Sequence, residues 1–171
     1  SYSVLSLLVL ILSGYLLKHV GFRSLIHKKT SSSLSMEVRM VVPFDDKIAL
    51  FWAYENTKSM KINDENKVMY EINGSNDIQT LTFNLPDNPR IEKLRLYLGR
   101  LPFGSREIHS LKFRKYDNVI DIPVSSIPSF FTLLYHTDPY LLENNKIRIP
   151  ITDQNSFIET QNNLSDLLEP L

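Results

Sequence analysis

The chain has no cysteine, only five glycines and no surplus of either charge, and each shortage excludes something. Without cysteine there is no disulfide, no thiolate zinc site, no Cys nucleophile and no lipid-modified N-terminal Cys. That fits the cytosol, and equally a bacterial envelope domain whose core suffices without staples; a eukaryotic secreted domain of this size more often carries a disulfide. With 19 basic and 19 acidic residues the formal net charge is zero. A general nucleic-acid binder needs excess Lys and Arg to displace counterions, so nucleic acid is not expected as a partner. No HExxH, GxSxG, Walker loop or GxGxxG occurs, and His19, His27, His109 and His136 are scattered, with no i, i+4 pair.

What is present begins with an apolar segment. Ser1 to Leu17 carries no charge and is rich in Leu, Ile and Val, with Leu8, Leu12 and Leu16 typical of it. As a helix it rises about 26 Å. The stem of Lys18 and the apolar Val20 to Phe22 extend it to the roughly 30 Å of a hydrocarbon layer. A cleavable signal peptide would want a positive charge before the apolar run, and none precedes Val4. A buried core helix would be apolar on one face only. The expectation is a transmembrane helix over 1–22, in contact with membrane lipid. Lys18, Arg23, Lys28 and Lys29 follow the span, and the positive-inside rule alone places the rest of the chain in the cytoplasm.

Residues 23–36 read as a polar, Ser-rich juxtamembrane linker. From Glu37 the pattern changes to short β runs. Val38 to Val42 ends at Pro43, Ile48 to Tyr54 is continuously apolar, and Val68 to Ile72 leads to an Asn73-Gly74 turn. Further runs are Ile78 to Leu85, Ile91 to Leu98, Ile108 to Phe113, Val119 to Ile122 and Ile147 to Ile151. About eight such strands predict an all-β fold, a jelly-roll-like β-sandwich over 37–152. Ser125-Ser126-Ile127-Pro128 suits the start of a short helix whose Phe130, Phe131, Leu133 and Leu134 would cover one end of the sandwich. Residues 153–171 are polar and acidic and read as a frayed tail or a weak partner-binding helix.

The run Thr82-Phe83-Asn84-Leu85-Pro86, then Ile91-Glu92-Lys93-Leu94-Arg95-Leu96-Tyr97-Leu98-Gly99 and Ile108-His109-Ser110-Leu111-Lys112-Phe113, has a familiar form. With Ile48 to Trp52 and Asp138-Pro139-Tyr140, it resembles the C-terminal periplasmic β-sandwich of bacterial polytopic membrane glycosyltransferases. The resemblance spans about Glu37 to Ile151 and rests mostly on strand grammar. It implies a jelly-roll, carbohydrate-binding-module-like domain on the periplasmic face of a bacterial inner membrane, the opposite side from the charge rule. Of the two, the periplasmic side is favoured here. The many membrane helices and acidic catalytic loop of those enzymes are absent, so transfer chemistry would need a partner chain.

A sugar platform sets an aromatic ring against the apolar face of a pyranose, with polar side chains on its hydroxyls. Trp52, Arg95, Tyr97, Asp138 and Tyr140 are the candidates, although a Trp in an apolar strand is more often core. Asp45 and Asp46 are candidates for a structural calcium, which needs six or more oxygens; the simpler reading is that they start a turn. No other cofactor is implied. The expected function is a non-catalytic accessory module contacting a glycan or glycolipid in an envelope polysaccharide pathway. The alternative is a docking subunit of a membrane protein complex; both readings include a membrane protein partner. A hydrolase would need a carboxylate pair converging in a cleft, for which the sequence offers no support.

Overall fold

A computed structural model of the chain describes residues 34–54, 64–86, 91–134, 141–152, 154, 156–161, 164 and 166. The chain divides into two compact units, Ser1–Ser31 and Ser32–Leu171, and all described residues belong to the second. The expected span over 1–22, with Leu8, Leu12, Leu16 and Lys18, lies outside them. Among the described residues no helix is long and apolar enough to cross a membrane.

Among the described residues the eight expected strands are all present, and three more join them. In chain order they are β1 (Leu34–Val42), β2 (Asp46–Tyr54), β3 (Lys67–Ile72), β4 (Ser75–Leu85), β5 (Ile91–Tyr97) and β6 (Ser105–Lys115). There follow β7 (Asn118–Ile122), β8 (Phe131–Leu134), β9 (Leu141–Glu143), β10 (Lys146–Pro150) and β11 (Phe157–Thr160). They form two antiparallel sheets. One is ordered β4-β1-β6-β10-β9, with β7 also paired to β6; the other is β3-β2-β5-β11-β8. The first is called sheet A below and the second sheet B.

Alternation decides what each strand buries. On β1, Met36 and Val38 point inward and pair with Phe83 and Leu81 on one side and Phe113 and Leu111 on the other. On sheet B, Ile48, Leu50 and Trp52 of β2 meet Leu94, Leu96 and Ile158 in the same apolar cluster. Burying each such side chain contributes about 1.5–3 kcal/mol, so one shared core between the two sheets holds the fold together. Tyr70 and Phe83 meet edge-to-face at 5.3 Å, and the Tyr70 hydroxyl donates to the Thr82 carbonyl at 2.5 Å, tying edge strand β3 to edge strand β4. The β9–β10 hairpin turns on Asn144 (φ 45°) and Asn145 (φ 60°), the left-handed pair that suits a tight hairpin's twist.

Three expectations are corrected. Strand β1 starts inside the expected linker, because Leu34 and Met36 are buried and continue the inward alternation. The segment after 152 is not a frayed tail: β11 sits between β5 and β8 in sheet B, with Ile158 in the core and Leu164 buried. The short helix is a single turn, α1 (Ile127–Phe130), with Pro128 in its first turn as expected, and the chain becomes strand β8 at Phe131.

Candidate functional site

The outer face of sheet B carries the feature most like a binding site. Side chains at outward positions form two rows across the strands. One row runs Met69, Ala49, Tyr97, Phe157; the next runs Lys67, Phe51, Arg95, Glu159. Ala49 is the short member of its row. Placing Ala between Met and Tyr leaves a depression of about 320 Å³ with Ala49 as its floor and Phe51, Met69, Tyr97 and Phe157 around it. Four basic residues, Lys47, Lys67, Arg95 and Arg100, complete its lining, and among the described residues no acidic side chain lines it.

Each charged group is held differently. Arg95 donates to Glu159 Oε2 through Nε at 2.8 Å and Nη2 at 2.6 Å, and its guanidinium lies 4.3 Å from the centre of the Phe157 ring. The two partners are 15% and 13% exposed, so this pair is a fixed wall. Lys47 donates to Glu71 Oε1 at 2.6 Å, but Glu71 is 78% exposed. Lys47 holds the Glu71 carboxyl below its usual value. Arg100 extends from the turn after β5 and has no ion-pair partner among the described residues. The Tyr97 hydroxyl donates to the Gln154 carbonyl at 2.8 Å. Burial pushes the Tyr97 phenol above its ordinary value; Asp46 adds to this and Arg100 opposes it.

Beneath one end of the depression lies a buried polar knot. Asp46 Oδ1 accepts from the Lys47 and Arg100 amides, each at 2.8 Å, and Oδ2 accepts from the Leu101 amide at 3.3 Å and Arg106 Nη2 at 2.6 Å. Arg106 also donates through Nε to the Leu98 carbonyl at 2.9 Å. The side chains of Arg106 and Asp46 are 0% and 2% exposed. Burial pulls the Arg106 guanidinium below its usual value while Asp46 pushes it back. Gly99, at φ 121°, permits this: a Cβ there would lie 2.1 Å from Asp46 Oδ2.

The structure sorts the residues singled out from sequence. Arg95 and Tyr97 come together in the depression. Trp52 does not join them; it shares the inward parity of Ile48 and Leu50, is 6% exposed, and donates its indole N–H to the Tyr54 hydroxyl at 3.2 Å. Asp138 and Tyr140 lie outside the described residues. Asp45 accepts the Gly74 amide at 2.7 Å, as a turn former, while Asp46 turns inward to Arg106, so the two carboxylates do not converge on one cation. Among the described residues no group of three or more His, Asp or Glu is placed to hold a metal. His109 is half-buried, with Nε2 3.5 Å from the Glu107 carboxylate.

Sequence reasoning missed Lys47, Lys67, Arg100 and Arg106 as site or support residues. Arg106 had a signal, a charge at the inward parity of Ile108. The three groove cations had none, because they come from separate strands and loops. Comparison with protein-family models, curated proteins and solved structures finds no match for the chain.

Proposed function

We propose that this chain is a non-catalytic binding module that contacts a glycan or glycolipid through the outer face of sheet B. The observation that carries this reading is the depression itself, where Tyr97 and Phe51 border a floor at Ala49 and basic side chains surround them. Concave sites with apolar walls and a few placed polar groups are the usual form of a ligand site, and aromatic rings suit the C–H face of a pyranose. The wider reading is a jelly-roll-like sandwich anchored by 1–22 and working on the periplasmic face of a bacterial inner membrane, as an accessory to a polysaccharide pathway. The way the chain passes between the sheets at β1–β2, β3–β4, β4–β5 and β5–β6 supports the jelly-roll part of that reading.

The test is binding of the 171-residue chain, in mild detergent, to an array of envelope glycans. Tyr97→Ala should lose the signal while the far-ultraviolet dichroism stays that of a β protein. An array on which the chain binds nothing overturns the proposal.

A further inference from the structure

The depression is basic at both ends, and that selects a ligand class within the function proposed above. Register places Ala49 opposite Tyr97, so Lys47, two residues earlier, lies beside the turn that carries Arg100. The amides of both residues bind the same oxygen, Asp46 Oδ1, which fixes their backbones side by side. Lys67 and Arg95 flank Phe51 at the other end. The two ends are four strand residues apart, about 13 Å. Tyr97 and Ala49 lie between them.

The cations are not equally available. Arg95 is committed to Glu159, which is itself largely buried. Among the described residues Lys47 is paired only with the exposed Glu71, and an exposed pair of this kind is weak enough for a ligand anion to replace it. Arg100 has no ion-pair partner among the described residues. The end formed by Lys47 and Arg100 is therefore the anion receptor, and the aromatic middle is the sugar platform.

We infer that the ligand is an acidic oligosaccharide, with a carboxylate or phosphate held by Lys47 and Arg100 and a pyranose face on Tyr97. The spacing of the two basic ends fits more than one sugar unit. This rests on the glycan reading of the groove, and the experiment separates the two. The chain is titrated calorimetrically with oligogalacturonate, with its neutral methyl ester of equal length, with a phosphodiester-linked mannose oligomer and with oligothymidylate.

A charge-assisted contact changes affinity by about tenfold. The acidic oligomer should thus bind at least about tenfold tighter than its ester, and lose that advantage in high salt or in the Lys47→Gln/Arg100→Gln double variant. Lys115→Gln, on sheet A, should leave binding unchanged. Preference for the mannose phosphodiester supports the inference with phosphate as the anion. Equal binding of acid and ester overturns it while leaving the glycan reading standing. Oligothymidylate binding as tightly as oligogalacturonate overturns it, since the groove would then read charge without sugar. Binding of none of the four overturns it, and the glycan array then decides whether the broader reading survives.

Discussion

Asp46 and Lys47 are neighbours in β2, yet they serve opposite faces of sheet B. Asp46 points inward to a fully enclosed Arg106, and Lys47 points outward to an exposed Glu71. Both pairs close to 2.6 Å, so distance alone does not distinguish them. Surroundings do. The inner pair has left water, and its desolvation is offset because three amides and two carbonyls join the two ions. The outer pair keeps its water and holds little energy, which leaves it open to exchange. One strand thus carries a lock on one face and a replaceable contact on the other.

The sharpest way to break that contrast is to remove one partner from each pair. Arg106→Met leaves Asp46 buried without its countercharge and should destabilise the domain by about 3–5 kcal/mol, read by urea denaturation. Gly99→Ala tests the same knot from the backbone. At φ 121° a side chain is strained and its Cβ would strike Asp46 Oδ2, so a loss of about 2 kcal/mol or more is expected. If either variant matched the parent midpoint, the inner pair would not be a lock.

Arg95→Ala should fall between the extremes. It removes two charge-assisted hydrogen bonds and the stacking on Phe157, for about 2 kcal/mol by denaturation. Glu71→Gln should leave the unfolding midpoint where it was near neutral pH, because the pair is exposed. Lys47 holds the Glu71 carboxyl below 4.5, so whatever the pair contributes is present above that value and fades as pH falls below it. Glu71→Gln should also strengthen binding of an acidic oligosaccharide, since Lys47 is released. A weaker complex would show that Glu71 positions Lys47 instead of competing for it.

How much of this was legible follows from the same contrast. The inward faces were readable where Val38, Leu94 and Leu96 alternate with more polar neighbours. They were not readable at Met36, which read as linker, nor in Ile48 to Tyr54, which is apolar throughout and shows its parity only in the sheet. Strand β11 was not, because Phe157 and Ile158 are a short apolar signal among Asn, Ser, Glu and Gln; its place is set by pairing with β5 and β8. The same holds for the groove. Arg95 and Tyr97 were found because they alternate on one strand, whereas Lys47, Lys67 and Arg100 reach them only through sheet register. The zero net charge concealed this local excess of cations, since charge balance reports the whole chain and not a face. Trp52 was a platform candidate by its chemistry although a Trp in an apolar strand is more often core, and its parity with Leu50 puts it inside.

The smallest expected effect is at Tyr97, where the two faces meet. Burial raises its phenol above 10.0, the inner Asp46 raises it further, and the outer Arg100 lowers it. The folded chain therefore holds this proton more tightly than the unfolded one, and stability should decline as pH climbs past 10.0. Arg100→Gln removes the only opposing influence among these three and should lift the phenol further. A carboxylate bound between Lys47 and Arg100 should act in the same direction by neutralising Arg100. Phenolate absorbance, taken as the difference between the chain and its Tyr97→Phe variant, reads both shifts. If Arg100→Gln moved the titration and the acidic ligand did not, the anion would not be sitting at Arg100, and the groove would lose its assigned receptor end.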